Sequence, residues 1–222
     1  MRFFNSIKKI SRIFFLIALI YGLDFVASWG AVNLDIDTQG LDFDRILFVQ
    51  GIKTTSLELT AWKNDLEKNF PNDEIIFMDE FVYFYWQDGK TEKIVEKGTN
   101  ILNDGKSTLI IAHSYGGILA KTMIERAENA NVVKLITMAS PNKMESFGIK
   151  NSKEFLGTPE DVDVPTISVG GFLDPVVLFP KTNIDNSEHI DLWSGHTGFL
   201  FNKNVRQKVL ELALGIKTDI KN

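Results

Sequence analysis

The chain has 222 residues, 44% of them hydrophobic and 24% charged, which is the balance of a folded protein long enough for one domain with a full core. A net charge of −5 gives no reason to expect a nucleic-acid partner. The absence of cysteine excludes structural disulfides and thiolate metal sites.

The first segment carries Arg2, Lys8, Lys9 and Arg12 ahead of the apolar run Ile13–Leu23. A basic stretch followed by an apolar one is the layout of a secretory signal, and small residues such as Ser28 and Gly30 offer places for cleavage. Ile13 to Val32 is also close to the length of a membrane span, with Asp24 tolerable only towards an interface. Residues 1–32 are therefore read as a signal peptide or a membrane anchor forming an N-terminal hydrophobic helix. Both readings place the rest of the chain outside the cytoplasm, secreted or anchored. Residues 33–45 are polar and acidic and read as a linker, leaving 46–222 as the folded domain.

From there strands and helices alternate. Ile46–Gln50 is a short apolar run ending at Gly51, the pattern of a buried strand. Residues 55–70 place Leu59, Trp62 and Leu66 at helical spacing, with Thr55 and Glu58 set as a capping box and Pro71 at the exit. Glu74–Met78 is a second strand. Phe81–Trp86 is continuously aromatic and fits either a strand or a loop beside a site. Residues 92–102 read as a helix, 108–112 as a strand, 118–127 as a helix, and 132–139, 165–169 and 188–193 as strands. A closing helix over 199–216 carries Val205, Val209, Leu212 and Ile216 on one face. Such alternation implies a mostly parallel sheet with helices on both faces, and in such sheets functional groups gather at the C-terminal strand ends.

One junction stands out. The strand ending at Ala112 runs through His113 into Ser114, Tyr115, Gly116 and Gly117, and a helix follows. A serine at the tip of a sharp strand-to-helix turn, with small residues two places to either side, is the geometry of a nucleophile elbow. The pattern here is A-x-S-x-G, a variant of G-x-S-x-G. A serine hydroxyl needs a base to take its proton and an acid to orient that base. The chain has three histidines. His113 adjoins the serine and is expected to point away from the turn in a structural role, and His189 lies within an alternating strand. His196, in the glycine-flanked loop Ser194–Gly198, is the candidate base. In the order serine, acid, histidine, the acid is Asp174, which follows a strand and Gly170-Gly171. Asp161 and Asp163 sit before a strand, at the other edge, Asp185 in a surface loop, and Asp191 inside the last strand. Backbone N–H donors for an oxyanion are expected from Tyr115 and from Ile52, with Lys53 as the next choice for the second.

These residues carry a resemblance. Val49–Ile52, Ala112–Gly117, Thr137–Asn142, Asp174–Val177 and Gly195–Phe199 make residues 45–215 similar to α/β-hydrolases, and most to small bacterial triacylglycerol lipases and esterases with an A-H-S-x-G-G elbow. The resemblance implies Ser114 as nucleophile, Asp174 as acid, His196 as base, Ile52 and Tyr115 as the oxyanion hole, and no metal or organic cofactor. Where that family has His-Gly after its first core strand, this chain has Gln50-Gly51, a departure that bears on the oxyanion loop. The polar stretch 142–163 is too short for more than a minimal cap, so an open cleft is expected. The activity implied is hydrolysis of lipid or other acyl esters. A thioesterase, an amidase or a deacylase of a lipid-linked glycan would use the same three residues, and a non-catalytic binding protein on the same fold is the reading from another class. The partners expected are an acyl-ester or lipid substrate, and a membrane if the N-terminal segment is retained.

Overall fold

The computed structural model describes residues 32, 34, 43–51, 56–78, 89–142, 162–177, 182–184 and 187–216. Among them six strands form one parallel sheet in the order β2-β1-β3-β4-β5-β6. The strands are β1 (Arg45–Val49), β2 (Glu74–Met78), β3 (Thr108–His113), β4 (Val132–Met138), β5 (Thr166–Gly171) and β6 (Glu188–Leu192). The helices between and after them are α1 (Ser56–Asn69), α2 (Lys90–Leu102), α3 (Gly116–Arg126), α4 (Gly198–Phe201) and α5 (Lys203–Ala213). This is the α/β architecture expected, with helices on both faces. The N-terminal hydrophobic helix, the Thr55 half of the capping box, and Phe81–Trp86 lie outside the described residues. No helix among the described residues is long and apolar enough to cross a membrane.

Period-two alternation explains how the sheet feeds two cores. In β1, Ile46 and Phe48 face a cluster with Leu59, Trp62 and Leu66 of α1 and Val205 and Val209 of α5. Leu47 and Val49 face the other side, with Ile94 and Val95 of α2 and Ile118 and Met123 of α3. All five residues of β1 and all six of β3 are buried, as strands covered on both faces must be.

Three features depart from the sequence reading, two through partners from elsewhere in the chain and one through a local cap. The first strand begins one residue early, at Arg45, which the linker assignment had claimed. Its guanidinium is buried because Glu74 lies 2.8 Å from it, Asp104 also pairs with it, and the Ile101 carbonyl accepts at 2.9 Å. Farther back in the same stretch, Leu34 and Phe43 pack on the core, and the Leu34 N–H donates to Asn69 Oδ1 at 3.0 Å. The closing helix is two helices. Asn202 has extended backbone and its side chain accepts from the amides of Asn204 and Val205, so α4 ends and α5 is capped afresh.

Arg206, in the first turns of α5, is 1% exposed. Its Nε–H donates to Asp65 Oδ2 of α1 at 2.6 Å, and its Nη1 to the Phe201 carbonyl. The other Asp65 oxygen accepts the Val32 N–H at 2.8 Å. Replacing one partner of a buried ion pair strands the other charge in a medium that cannot solvate it. Arg206→Met is therefore expected to destabilise the domain by about 3–5 kcal/mol, and Asp65→Leu with Arg206→Met together by less than the sum of the two single changes, measured by urea unfolding.

Candidate active site

The site lies at the C-terminal ends of β3, β5 and β6. Ser114 closes β3 with φ of 55°, a left-handed backbone that a residue with a Cβ adopts at a cost. Its N–H donates to the Met138 carbonyl at 2.8 Å, which extends the β3–β4 ladder one step past the strand. Its carbonyl accepts from Gly117 N at 3.1 Å, so the helix begins at once. Two glycines make room. A Cβ at Gly116 would fall 2.2 Å from the Val49 carbonyl oxygen, and one at Gly51 would fall 2.8 Å from Ser114 Cβ. These are backbone-to-backbone approaches that no rotamer change relieves. Ala139, at the end of β4, repeats the left-handed geometry with φ of 48°.

Asp174 enters from the loop after β5. Its Oδ1 accepts the backbone N–H groups of Val176 and Val177 at 2.8 and 2.9 Å, which fixes the carboxylate plane and turns Oδ2 outward. Oδ2 is 2.8 Å from Nδ1 of His196, and Nε2 of His196 is 2.9 Å from Ser114 Oγ. A carboxylate only accepts, so Nδ1 carries the proton and Nε2 is left to accept the serine O–H. The acid side chain is fully buried and the imidazole 12% exposed. The serine, acid and histidine expected from sequence thus form one continuous hydrogen-bonded chain.

The two loops that bring the acid and the base are stitched to one another. Phe172 N–H donates to the Leu192 carbonyl at 3.0 Å, and Leu173 N–H to the Ser194 carbonyl at 3.1 Å. Beyond the base, Trp62 Nε1–H donates to the Phe199 carbonyl at 2.9 Å, tying α4 to α1. The other acids lie elsewhere. Asp191 bonds His189 at 3.2 Å, whose Nδ1 meets Ser168 Oγ at 2.7 Å, a polar ladder between β5 and β6. Asp163 is exposed before β5, and Asp161 and Asp185 fall outside the described residues. Ile52 and Lys53 also fall outside them. Tyr115 stands at the N-cap of α3.

His113 is buried outside the Ser114–His196–Asp174 chain, the structural role expected of it, but its ring lies beside that of His196. Its Nε2–H donates to the backbone carbonyl of His196 at 3.0 Å, and the two rings lie 4.9 Å apart. No local pattern signals this, because the partner is 83 residues downstream. Burial most strongly, and then the nearby His196, push the His113 pKa from 6.5 down to about 3, against the hydrogen bond to the His196 carbonyl, which raises it. In the unfolded chain His113 takes up its proton near 6.5, and in the folded chain only near 3. Between those values the unfolded state binds more protons, so acid favours unfolding. Stability is expected to fall as pH drops below 6.5, with this group contributing up to about 1.4 kcal/mol per pH unit. Unfolding titrations should give a shallower pH slope for His113→Gln than for the wild type.

Phe172, Leu173, Val176 and Trp193 are exposed, Trp193 by 74%, and the rings of Phe172 and Trp193 lie 5.4 Å apart. All four belong to the loops that carry Asp174 and His196.

Comparison with known proteins bears on the fold. Residues 85–155 match a family described as the PGAP1-like alpha/beta domain. A GPI inositol-deacylase of Candida albicans is 26% identical over 123 residues, 51% of this chain, and the chain spans 31% of that protein's length. Among solved structures, the ydeN gene product of B. subtilis aligns with a TM-score of 0.58 at 13% identity, over 78% of this chain and 99% of that one. The Bacillus licheniformis lipase BlEst2 aligns with a TM-score of 0.54 at 13% identity, over 83% and 96%. A parallel sheet in this strand order, a serine at a left-handed strand-to-helix turn, and these likenesses together give the chain the α/β-hydrolase fold.

Proposed function

We propose that the protein is a serine hydrolase that cleaves acyl esters of apolar substrates through an acyl-enzyme. The observation that carries the proposal is the pair of hydrogen bonds made by His196, 2.8 Å to Asp174 and 2.9 Å to Ser114. In this reading Ser114 Oγ attacks the ester carbonyl carbon while its proton passes to His196 Nε2, and Asp174 stabilises the imidazolium that results. The tetrahedral oxyanion draws on the Tyr115 N–H at the start of α3, with the Ile52 N–H proposed as the second donor. Collapse expels the alcohol oxygen, which takes the proton from Nε2. Water then attacks the acyl-serine by the same route in reverse, releasing the acid and restoring the serine.

The exposed apolar side chains of the two loops that carry Asp174 and His196 support an apolar acyl group, since a soluble polar substrate gains nothing from four large hydrophobic side chains there. The basic and apolar N-terminal sequence supports export, with the segment either removed or kept as an anchor. A second reading narrows the substrate to the acyl group of a lipid-linked glycan. What favours it is the partial match to a protein named GPI inositol-deacylase.

A fluorophosphonate probe tests the chemistry. The wild-type chain is expected to be labelled, and Ser114→Ala and His196→Ala are expected to remain unlabelled while folded. A folded wild type that resists labelling would instead favour a binding protein on this fold. A series of p-nitrophenyl esters of rising chain length tests the substrate class. Phe172→Ser with Trp193→Ser is expected to raise KM about tenfold for long-chain esters, the order of effect that about 1.4 kcal/mol of lost apolar contact gives, and to leave short-chain turnover unchanged. Activity on thioesters with none on oxygen esters would move the assignment to a thioesterase.

A further inference from the structure

We propose that His113 is a positioning residue, a neutral strut that holds the backbone of His196 so that its imidazole reaches Ser114 and Asp174 together. The inference rests on the catalytic reading of Ser114, Asp174 and His196 given above and adds a residue to it.

His113 is the last residue of β3, paired with Met138 of β4, and is 2% exposed. The loop it touches, Gly195 to Thr197, belongs to no strand or helix, and glycines flank the histidine on both sides. Its own hydrogen bonds engage the carbonyls of Gly195 and Thr197, on either side of His196. The acid restrains the His196 side chain through Nδ1. The backbone needs a separate restraint, and the His113 Nε2–H supplies one at 3.0 Å to the His196 carbonyl. A buried strand therefore reaches across the sheet edge and anchors the loop that carries the base.

The bond fixes the chemical state of the ring. A carbonyl only accepts, so the His113 proton sits on Nε2. Its Nδ1 is buried and has no hydrogen-bond partner among the described residues. A second proton there would be an unsatisfied buried donor. It would also place a positive charge 4.9 Å, ring to ring, from the imidazole that becomes cationic in turnover. A neutral ring gives the donor without that opposing charge.

The test uses the full chain. His113→Phe keeps a ring and removes the donor, whereas His113→Gln keeps an N–H near the same reach. With p-nitrophenyl butyrate, His113→Phe is expected to lower kcat by roughly 10–100-fold with KM unchanged, the order of loss that a displacement of about 1 Å produces. His113→Gln is expected to recover most of the loss and to restore the wild-type pH profile. Full kcat in folded His113→Phe would overturn the proposal while leaving the hydrolase reading intact. A wild type that turns over no ester would sink the hydrolase reading instead, and the strut is then judged by proton NMR. The downfield signal of the His196 Nδ1–H bonded to Asp174 is expected in the wild type and lost in His113→Phe. An identical signal in both overturns the strut. Should His113→Phe fail to fold, nitrogen NMR of the wild-type imidazoles decides: a proton on Nε2 of His113 at neutral pH upholds the strut, and one on Nδ1 refutes it.

Discussion

The left-handed backbone of Ser114 is the constraint to which the surrounding structure is fitted. Holding a side-chain-bearing residue at φ of 55° costs on the order of 1–2 kcal/mol, and it persists only because neighbours leave no alternative. The Met138 carbonyl claims its amide, the Gly117 amide claims its carbonyl, and the Val49 carbonyl lies where any side chain at residue 116 would have to go. Each holder belongs to a buried, fully paired segment. The serine hydroxyl is thus presented by a rigid frame, and the loops that carry Asp174 and His196 come to meet it.

Those loops are held in a different manner. The acid is fixed by two backbone amides of its own turn, the base by its bond to the acid, and the segment after the base by the Trp62 indole. The hydrogen bonds between the two loops, Phe172 to Leu192 and Leu173 to Ser194, mean that acid and base move as one unit if they move at all. In the hydrolysis proposed above, this keeps the carboxylate-to-imidazole distance fixed while Ser114 reacts.

Much of this was legible in the sequence because it is local. Strand boundaries followed apolar runs bounded by glycine and polar residues, and the elbow is written in consecutive positions, 112 to 117. Ser114, Asp174 and His196 stood out by residue type, chain order and flanking glycines. What escaped is non-local. Arg45 and Arg206 look like surface residues until Glu74, Asp104 and Asp65 arrive from other elements. His113 was read from the direction of its strand, and the direction alone does not say which loop lies beyond it. The break at Asn202 was the exception, a local cap signal present in the sequence and outweighed by the apolar stripe running past it.

Asp65 has two oxygens and two obligations. One holds the amide of Val32, where the apolar N-terminal sequence gives way to the domain, and the other holds Arg206, whose guanidinium also grips the end of α4 just past the base. The polypeptide upstream of Val32 accordingly departs from a fixed berth on the α1–α5 face. A single side chain of α1 thereby joins the backbone at Val32 to the helix that follows the His196 loop.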